Sequence, residues 1–222
     1  MSNLTQILQK IHRVVESNTD YPASGEDDYT LRLGLVNDFI EEWSKEEGVN
    51  WRELWSQASV SATGADSYDL TSVVPDIDFP GGYVSVTDGT SATQYWNVIE
   101  TQVVANVTNS SERWCYFTGD PQNGYTLHFN PNAKPSSGTI SFPYYKKATL
   151  LVNGSDVPEM SDPSYLVHMV SSQVLAEDNP ADSDKHFTLG QSRLRAMKTR
   201  NITPPEWQSN RLQDRRGVGF GY

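Results

Sequence analysis

Apolar positions at the start of the chain fall at helical spacing. Leu4, Ile7, Leu8, Ile11, Val14 and Val15 recur at i, i+3, i+4, i+7, i+10 and i+11, one stripe on a helix from about Leu4 to Glu16. The polar face of that helix has too few cations to hold a membrane surface, so the stripe reads as a core face. After the SNTDYPASGEDD loop a second helix opens near Asp27 or Asp28, whose carboxylates can cap it and favour the positive end of its dipole. Tyr29, Leu33, Val36, Ile40 and Trp43 form its stripe, and Gly48 is a stop signal. NWRELW then looks like a capping box on Asn50 and Glu53, with Trp51 and Trp55 on one face of a short helix.

From about Gln57 to Val152 the periodicity shortens. QASVSAT, SYDL, GYVSVT, QYWNVIE, RWCYF, YTLHFN and TISFPYY are β-branched or aromatic segments, punctuated by Asp88-Gly89, Asn123-Gly124 and Asn153-Gly154. Pro75, Pro80, Pro131, Pro135 and Pro143 cannot donate to a ladder, which places them in loops, bulges or edges. No fixed period repeats, so a propeller or solenoid is excluded. Helical spacing returns at Leu166, Met169, Val170, Gln173 and Val174, with Asp162 as N-cap and Pro163 as first helical residue, and stops near Asn179-Pro180. A last helix from about Ser183 to Arg200 carries Phe187, Leu194 and Met197 on one face. Its C-terminal cations, Arg193, Arg195, Lys198 and Arg200, complement the dipole. Pro204-Pro205 then breaks any helix.

These elements predict an α+β chain: a helical bundle built from N- and C-terminal helices, an inserted antiparallel β domain, and an extended C-terminal tail. The expected boundaries are 1–56 for the first helices, 57–152 for the β domain, 153–200 for the last helices and 201–222 for the basic tail.

Charge adds an asymmetry. The 222-residue chain has a formal net charge of −11, but residues 1–184 carry 9 basic and 26 acidic side chains while residues 185–222 carry 8 and 2. The segments therefore sum to −17 and +6, a basic end on an acidic body. Such a body repels phosphate backbones, so duplex nucleic acid is not expected to bind the surface as a whole. The single cysteine, Cys115, excludes an intramolecular disulfide, fits a reducing cytoplasm and reads as a packed thiol. The N-terminus has helical periodicity in place of the apolar run of a signal, and no stretch is long enough to span a bilayer.

Candidate chemistry is sparse. Asp76 and Asp78 in PDIDF pair two carboxyls, as a glycosidase requires, although solvated acids beside proline read more simply as a loop. Glu177, Asp178, Asp182 and Asp184 could gather calcium, but Leu189 stands where a bidentate Glu belongs. His12, His128, His168 and His186 show no metal-binding spacing. No nucleophile elbow, Walker loop or dinucleotide fingerprint is present, and neither a cofactor nor a resident metal is expected.

Four segments carry a resemblance: GADSYDL with the downstream VVPDIDFPGG, then YTLHFNPNAKPSSGTISFPYYKKATLL, then DVPEMSDPSYLVHMVSSQVLA. Together they resemble the head-to-tail adaptor proteins of tailed bacteriophages, the connector or tail-tubular-protein-A-like family, although Thr71 stands where the family-like proline would follow Leu70. In that family a strand ending in paired tyrosines and a lysine-rich turn leads through prolines into a helix of the central bundle. The resemblance implies a non-enzymatic structural virion protein at the head-to-tail junction, present in the host cytoplasm during assembly. It implies a homo-oligomeric ring, a dodecamer, beneath the portal protein, with a tail or nozzle protein below, DNA only as passing cargo and no membrane. The tail would dock on the portal through Trp207, Phe220 and Tyr222 as apolar anchors and Arg211, Arg215 and Arg216 as steering cations. A carbohydrate-binding or host-recognition module is the alternative, prompted by aromatic strands such as QYWNVIE and RWCYF; a hydrolase acting through the acidic loops is a third.

Overall fold

The computed structural model describes residues 2–18, 21–107 and 111–202. Two compact units divide the chain. The described residues of Met1–Glu53 and Ala148–Tyr222 form one, and Leu54–Lys147 forms the other.

The helical unit begins with α1, Leu4–Glu16. Asn3 and Gln6 close a capping box in which the Asn3 side-chain Oδ1 accepts from Gln6 N and the Gln6 side-chain Oε1 accepts from Asn3 N. Leu4, Ile7, Leu8 and Ile11 are buried, as their spacing predicts. In α2, Asp27–Ser44, the cap differs from expectation: Glu26 occupies the N-cap and makes no side-chain cap bond. This helix also ends at Ser44, ahead of Gly48. Its final carbonyls are consumed early, because Trp43 O accepts from both Glu46 N and the Trp51 indole Nε1. NWRELW does not form the expected helix. Arg52–Leu54 is a single 3-10 turn, Trp51 is buried, and Trp55 starts a strand with its side chain 49% exposed.

One buried cation joins the first two helices. Arg32, 3% exposed, donates to His12 Nδ1 at 2.6 Å and to Glu16 at 3.0 Å, and Asp28 lies 3.7 Å away. Because a guanidinium can only donate, the His12 Nδ1 is the acceptor of this bond.

After the β unit the chain re-enters at Ala148. Asn37 brackets Leu151, donating to its carbonyl and accepting from its N–H. α4 spans Ser164–Leu175 and is buried on most of its circumference, packing on α1, α2 and the helix that follows it. α4 starts one residue later than expected: Pro163 is the N-cap and makes no side-chain cap bond, while Asp162 Oδ1, one position before it, accepts from Ser164 N. α5, Pro180–Ile202, starts three residues before the predicted Ser183: Asn179 Oδ1 accepts from Asp182 N, and Pro180 occupies the first helical position. The acidic stretch from Glu177 to Asp184 is therefore a junction and a first helical turn, not a long loop. Small residues let α4 and α5 approach. Ser183 Oγ donates to Ser172 O, and a side chain at Gly190 would strike Met169.

The second unit corrects the expected fold class. In place of an antiparallel β domain inserted into a helical bundle, the dominant structure is one large, curled, half-barrel sheet of eight strands, and it is mixed. The strands are β1 (Trp55–Ser61), β2 (Ser67–Asp69), β3 (Ile77–Pro80), β4 (Tyr83–Thr87), β5 (Thr93–Val98), β6 (Trp114–Asp120), β7 (Gly124–Phe129) and β8 (Thr139–Lys146), with a short helix α3, Val104–Val107, between β5 and β6. Their order is β1-β8-β4-β5-β6-β7-β2, and β3 also pairs with β8. β5 and β6 run parallel, Asn97 opposite Trp114 and Val98 opposite Cys115, because the connection between them is a crossover through α3 and not a hairpin.

Seven strands coincide with the seven predicted segments; β3 is additional. A bulge between Ile77 and Phe79 sends Ile77 into the core. Pro143 is neither at an edge nor in a loop. Its carbonyl accepts from Gly81 N, so its missing N–H faces the gap where β8 changes partner from β4 to β3. The core of this unit is Leu70, Val84, Trp96, Cys115, Leu127, Phe129, Ile140 and Phe142 with their neighbours.

Candidate functional site

Two surfaces of the β unit concentrate polar and aromatic groups. The first is organised by Asn130, which is fully buried. Its Nδ2 donates to Glu112 O at 2.7 Å, its N–H to Trp114 O, and its Oδ1 accepts from Asn132 N, so one amide folds the segment after β7 against the start of β6. Trp96 Nε1 donates to Ala133 O at 3.1 Å from the other side. The resulting hollow of about 460 Å³ is lined in part by Trp96, Arg113, Asn132, Lys134, Ser136 and Ser137. The Arg113 guanidinium carbon lies 5.5 Å from the Trp96 ring centroid, a cation–π contact, and Lys134 pairs with Asp66 at 2.6 Å. Asp88 at its rim is already engaged by Thr90 and Ala92, and these bonds hold its carboxyl below the usual range. Two cations, hydroxyls and amides suit an anionic or polyhydroxylated ligand.

Adjoining it, Tyr83 and Tyr95 are 45% and 62% exposed with ring centroids 6.4 Å apart. A shallow hollow of about 520 Å³ is lined by Tyr95, Asn97, Ser111, Glu112 and Arg113. Further along the same sheet, Phe79 stacks on Tyr145 at 4.6 Å, and Tyr145 is the cross-strand partner of Trp55.

In the helical unit, the end of α5 is tied down. Arg52 Nε donates to Asn201 O at 2.9 Å, its guanidinium also reaches Arg200 O, and Arg52 N donates to Asn201 Oδ1. Asn201 Nδ2 donates to Asn50 O, and Lys198 pairs with Glu46. An arginine supplied by another segment thus satisfies carbonyls that a helix C-terminus leaves open.

The residues singled out from sequence are dispersed. Trp207, Arg211, Arg215, Arg216, Phe220 and Tyr222 lie outside the described residues. Asp76 and Asp78 flank the buried Ile77, their carbonyls accepting from Lys147 N and the Tyr125 hydroxyl, and neither lines either hollow. Asp182 accepts from Asn179 Nδ2. Among the described residues no cluster of three or more His, Cys, Asp or Glu is placed to hold a metal ion, and no helix is long and apolar enough to cross a membrane.

Cys115 is fully buried, and desolvation pushes its thiol up to about 12. Iodoacetamide is therefore expected to leave the native protein unmodified and to label it once, at Cys115, in denaturant. Stoichiometric labelling of the native state would contradict the packed thiol.

Sequence spacing could not pair His168 with His186. Their Nδ1 atoms are 3.1 Å apart across α4 and α5, so one ring donates and the other accepts. Burial, then His186, then Arg193 lower the value of His168, against Asp162; burial, then Lys185, lower that of His186, against Asp182. The unfolded value is 6.5, so near and below that pH the unfolded chain binds more protons and the folded state loses stability. The urea midpoint should fall as pH drops through 6.5 and fall less in His186→Gln; identical slopes would remove the pair as the source.

The sequence matches no protein-family model and no curated protein.

Proposed function

We propose that this chain is a structural virion protein, a head-to-tail adaptor that forms a ring beneath a portal, joins capsid to tail and lets DNA pass. The observation that carries the reading is the fixed root of the C-terminal segment: Arg52, Asn50 and Glu46 clamp Arg200, Asn201 and Lys198, immediately before residues 203–222. An arm that docks on a partner loses less entropy when its root is already held. Trp207, Phe220 and Tyr222 are its apolar anchors, and Arg211, Arg215 and Arg216 pair with acidic groups of the portal. The contrast of −17 for residues 1–184 with +6 for the remainder supports steering of that end, while an acidic lumen lets DNA slide without sticking. Ring closure uses heterologous contacts, one face of each subunit meeting a different face of the next.

Co-sedimentation with portal-bearing capsids tests this, using the full chain beside one ending at Ile202, which keeps the Arg52 clamp. Full-length protein should sediment with capsids and the shortened chain should not. Absence of binding by both, when both are folded, would reject the adaptor role.

The exposed Tyr83 and Tyr95 pair beside Asn97 and Arg113 favours a second reading, stacking on a glycan. Under it, oligosaccharide titration gives saturable chemical-shift changes that vanish in Tyr95→Ala. An unchanged spectrum rejects it.

A further inference from the structure

We propose that β1 is a self-association edge, at which the chain pairs with β1 of a second copy to form an isologous dimer. β1 ends the sheet order, so among the described residues only one of its sides is paired. Ala62 N donates to Gly138 O in the same register that places Ala58 opposite Phe142 and Val60 opposite Ile140, so even-numbered residues turn their backbone groups toward β8. By alternation, the N–H and C=O groups of Trp55, Gln57, Ser59 and Ser61 point away from the sheet. All four of these residues are exposed.

Edge strands in soluble proteins are commonly guarded by charge, proline, a bulge or brevity. β1 has none of these: it is seven residues long, reads WSQASVS, and keeps an unbroken register with β8. The opposite edge, β2, is three residues long, with Asp66 just before it and Asp69 as its last residue, and is guarded.

The register of β1 selects a second copy as the occupant. An antiparallel pair related by a two-fold axis at Ala58 sets Trp55 opposite Ser61 and Gln57 opposite Ser59 of the other chain. Both pairings join residues whose backbone groups face outward, so every one of those groups finds a hydrogen-bonding partner, with side chains matched face to face. Small serines oppose the larger Trp55 and Gln57, and no charge is brought together, which suits two chains of net charge −11. The two sheets become continuous. This closed dimer is distinct from the heterologous contacts of a ring and does not depend on a portal.

Sedimentation equilibrium of the full chain, with amide hydrogen exchange, tests it. Wild type should dimerise, with the Gln57, Ser59 and Ser61 amides protected at high concentration and exchanging rapidly on dilution. Ser59→Lys places like charges diagonally across the axis and should weaken association by about fivefold or more, whereas an equimolar mixture with Ser59→Glu should restore it. A monomer at millimolar concentration overturns the proposal. So do a dimer whose β1 amides exchange freely, equal association of Ser59→Lys and wild type, and β1 amides that stay protected in the monomer because a different segment covers them.

Discussion

Trp51→Ala is expected to lower the stability of the helical unit by about 4 kcal/mol, with a midpoint of thermal unfolding roughly 10 °C below wild type. Trp51 is 1% exposed, its ring centroid lies 5.0 Å from that of Trp43, and its Nε1 donates to Trp43 O at 2.6 Å. Truncation removes a large buried ring, leaves a cavity against Trp43, and strips a partner from a carbonyl at the end of α2. Trp55→Ala is the matched control. With that side chain 49% exposed on β1, the loss should stay below about 1 kcal/mol. Equal effects from the two would contradict the assignment of one tryptophan to the core and the other to a sheet surface. Differential scanning calorimetry reads both.

Gly119→Val should be as damaging to the β unit, at about 4 kcal/mol, through the backbone. Gly119 has φ +111°, a conformation that costs a side-chain-bearing residue about 1–3 kcal/mol. A Cβ there would also lie inside contact distance of the Gly124 carbonyl oxygen and 3.0 Å from Tyr125 Cα. Both obstacles are main chain of the partner strand, in the hairpin where Gly119 faces Tyr125 and Asp120 faces Gly124, so neither can swing aside. Gly89→Ala, also in a hairpin turn but with open space around its Cβ, should change stability by less than about 0.5 kcal/mol. Urea unfolding followed by near-ultraviolet circular dichroism distinguishes them. A Gly119→Val midpoint equal to that of wild type would refute the β6–β7 geometry.

Elements written in local spacing were legible. The stripe from Leu4 to Val15 delimits α1, and Asp162-Pro163 marks the start of α4, because a cap and a period of 3.6 are properties of neighbouring residues. What depended on distant partners was not. β3 is short and flanked by prolines, and it exists only because β8 offers a partner beyond the end of β4. The mixed character of the sheet follows from a crossover between β5 and β6 that lacks any tight-turn signal. Arg32 sits one position from Leu33 of the predicted stripe, and the periodicity carried no sign that His12 and Glu16 on α1 hold it inside.

The same limit applies to the candidate sites. Arg113 and Lys134 converge because Asn130 folds one segment onto another, and the signal available in sequence was only their rarity in an acidic region. The clamp on α5 joins Arg52 to Asn201, far apart in the chain, and a reading by periodicity placed Arg52 in a short helix instead. By contrast, the turns themselves were visible as Asp88-Gly89 and Asn123-Gly124. In them Asp88 accepts from the Thr90 hydroxyl and from backbone N–H groups, and Asp120 accepts from the Asn123 side-chain amide and from backbone N–H groups, which lowers both carboxyls below the usual range.

The most direct measurement of the adaptor role is electron microscopy of the portal vertex, with rotationally averaged images of capsids incubated with full-length protein and with the chain ending at Ile202. A closed ring of added density beneath the portal, present with the full chain and lost with the shortened one, is the expected result. Vertices indistinguishable from capsids alone, with folded full-length protein in excess, would contradict it.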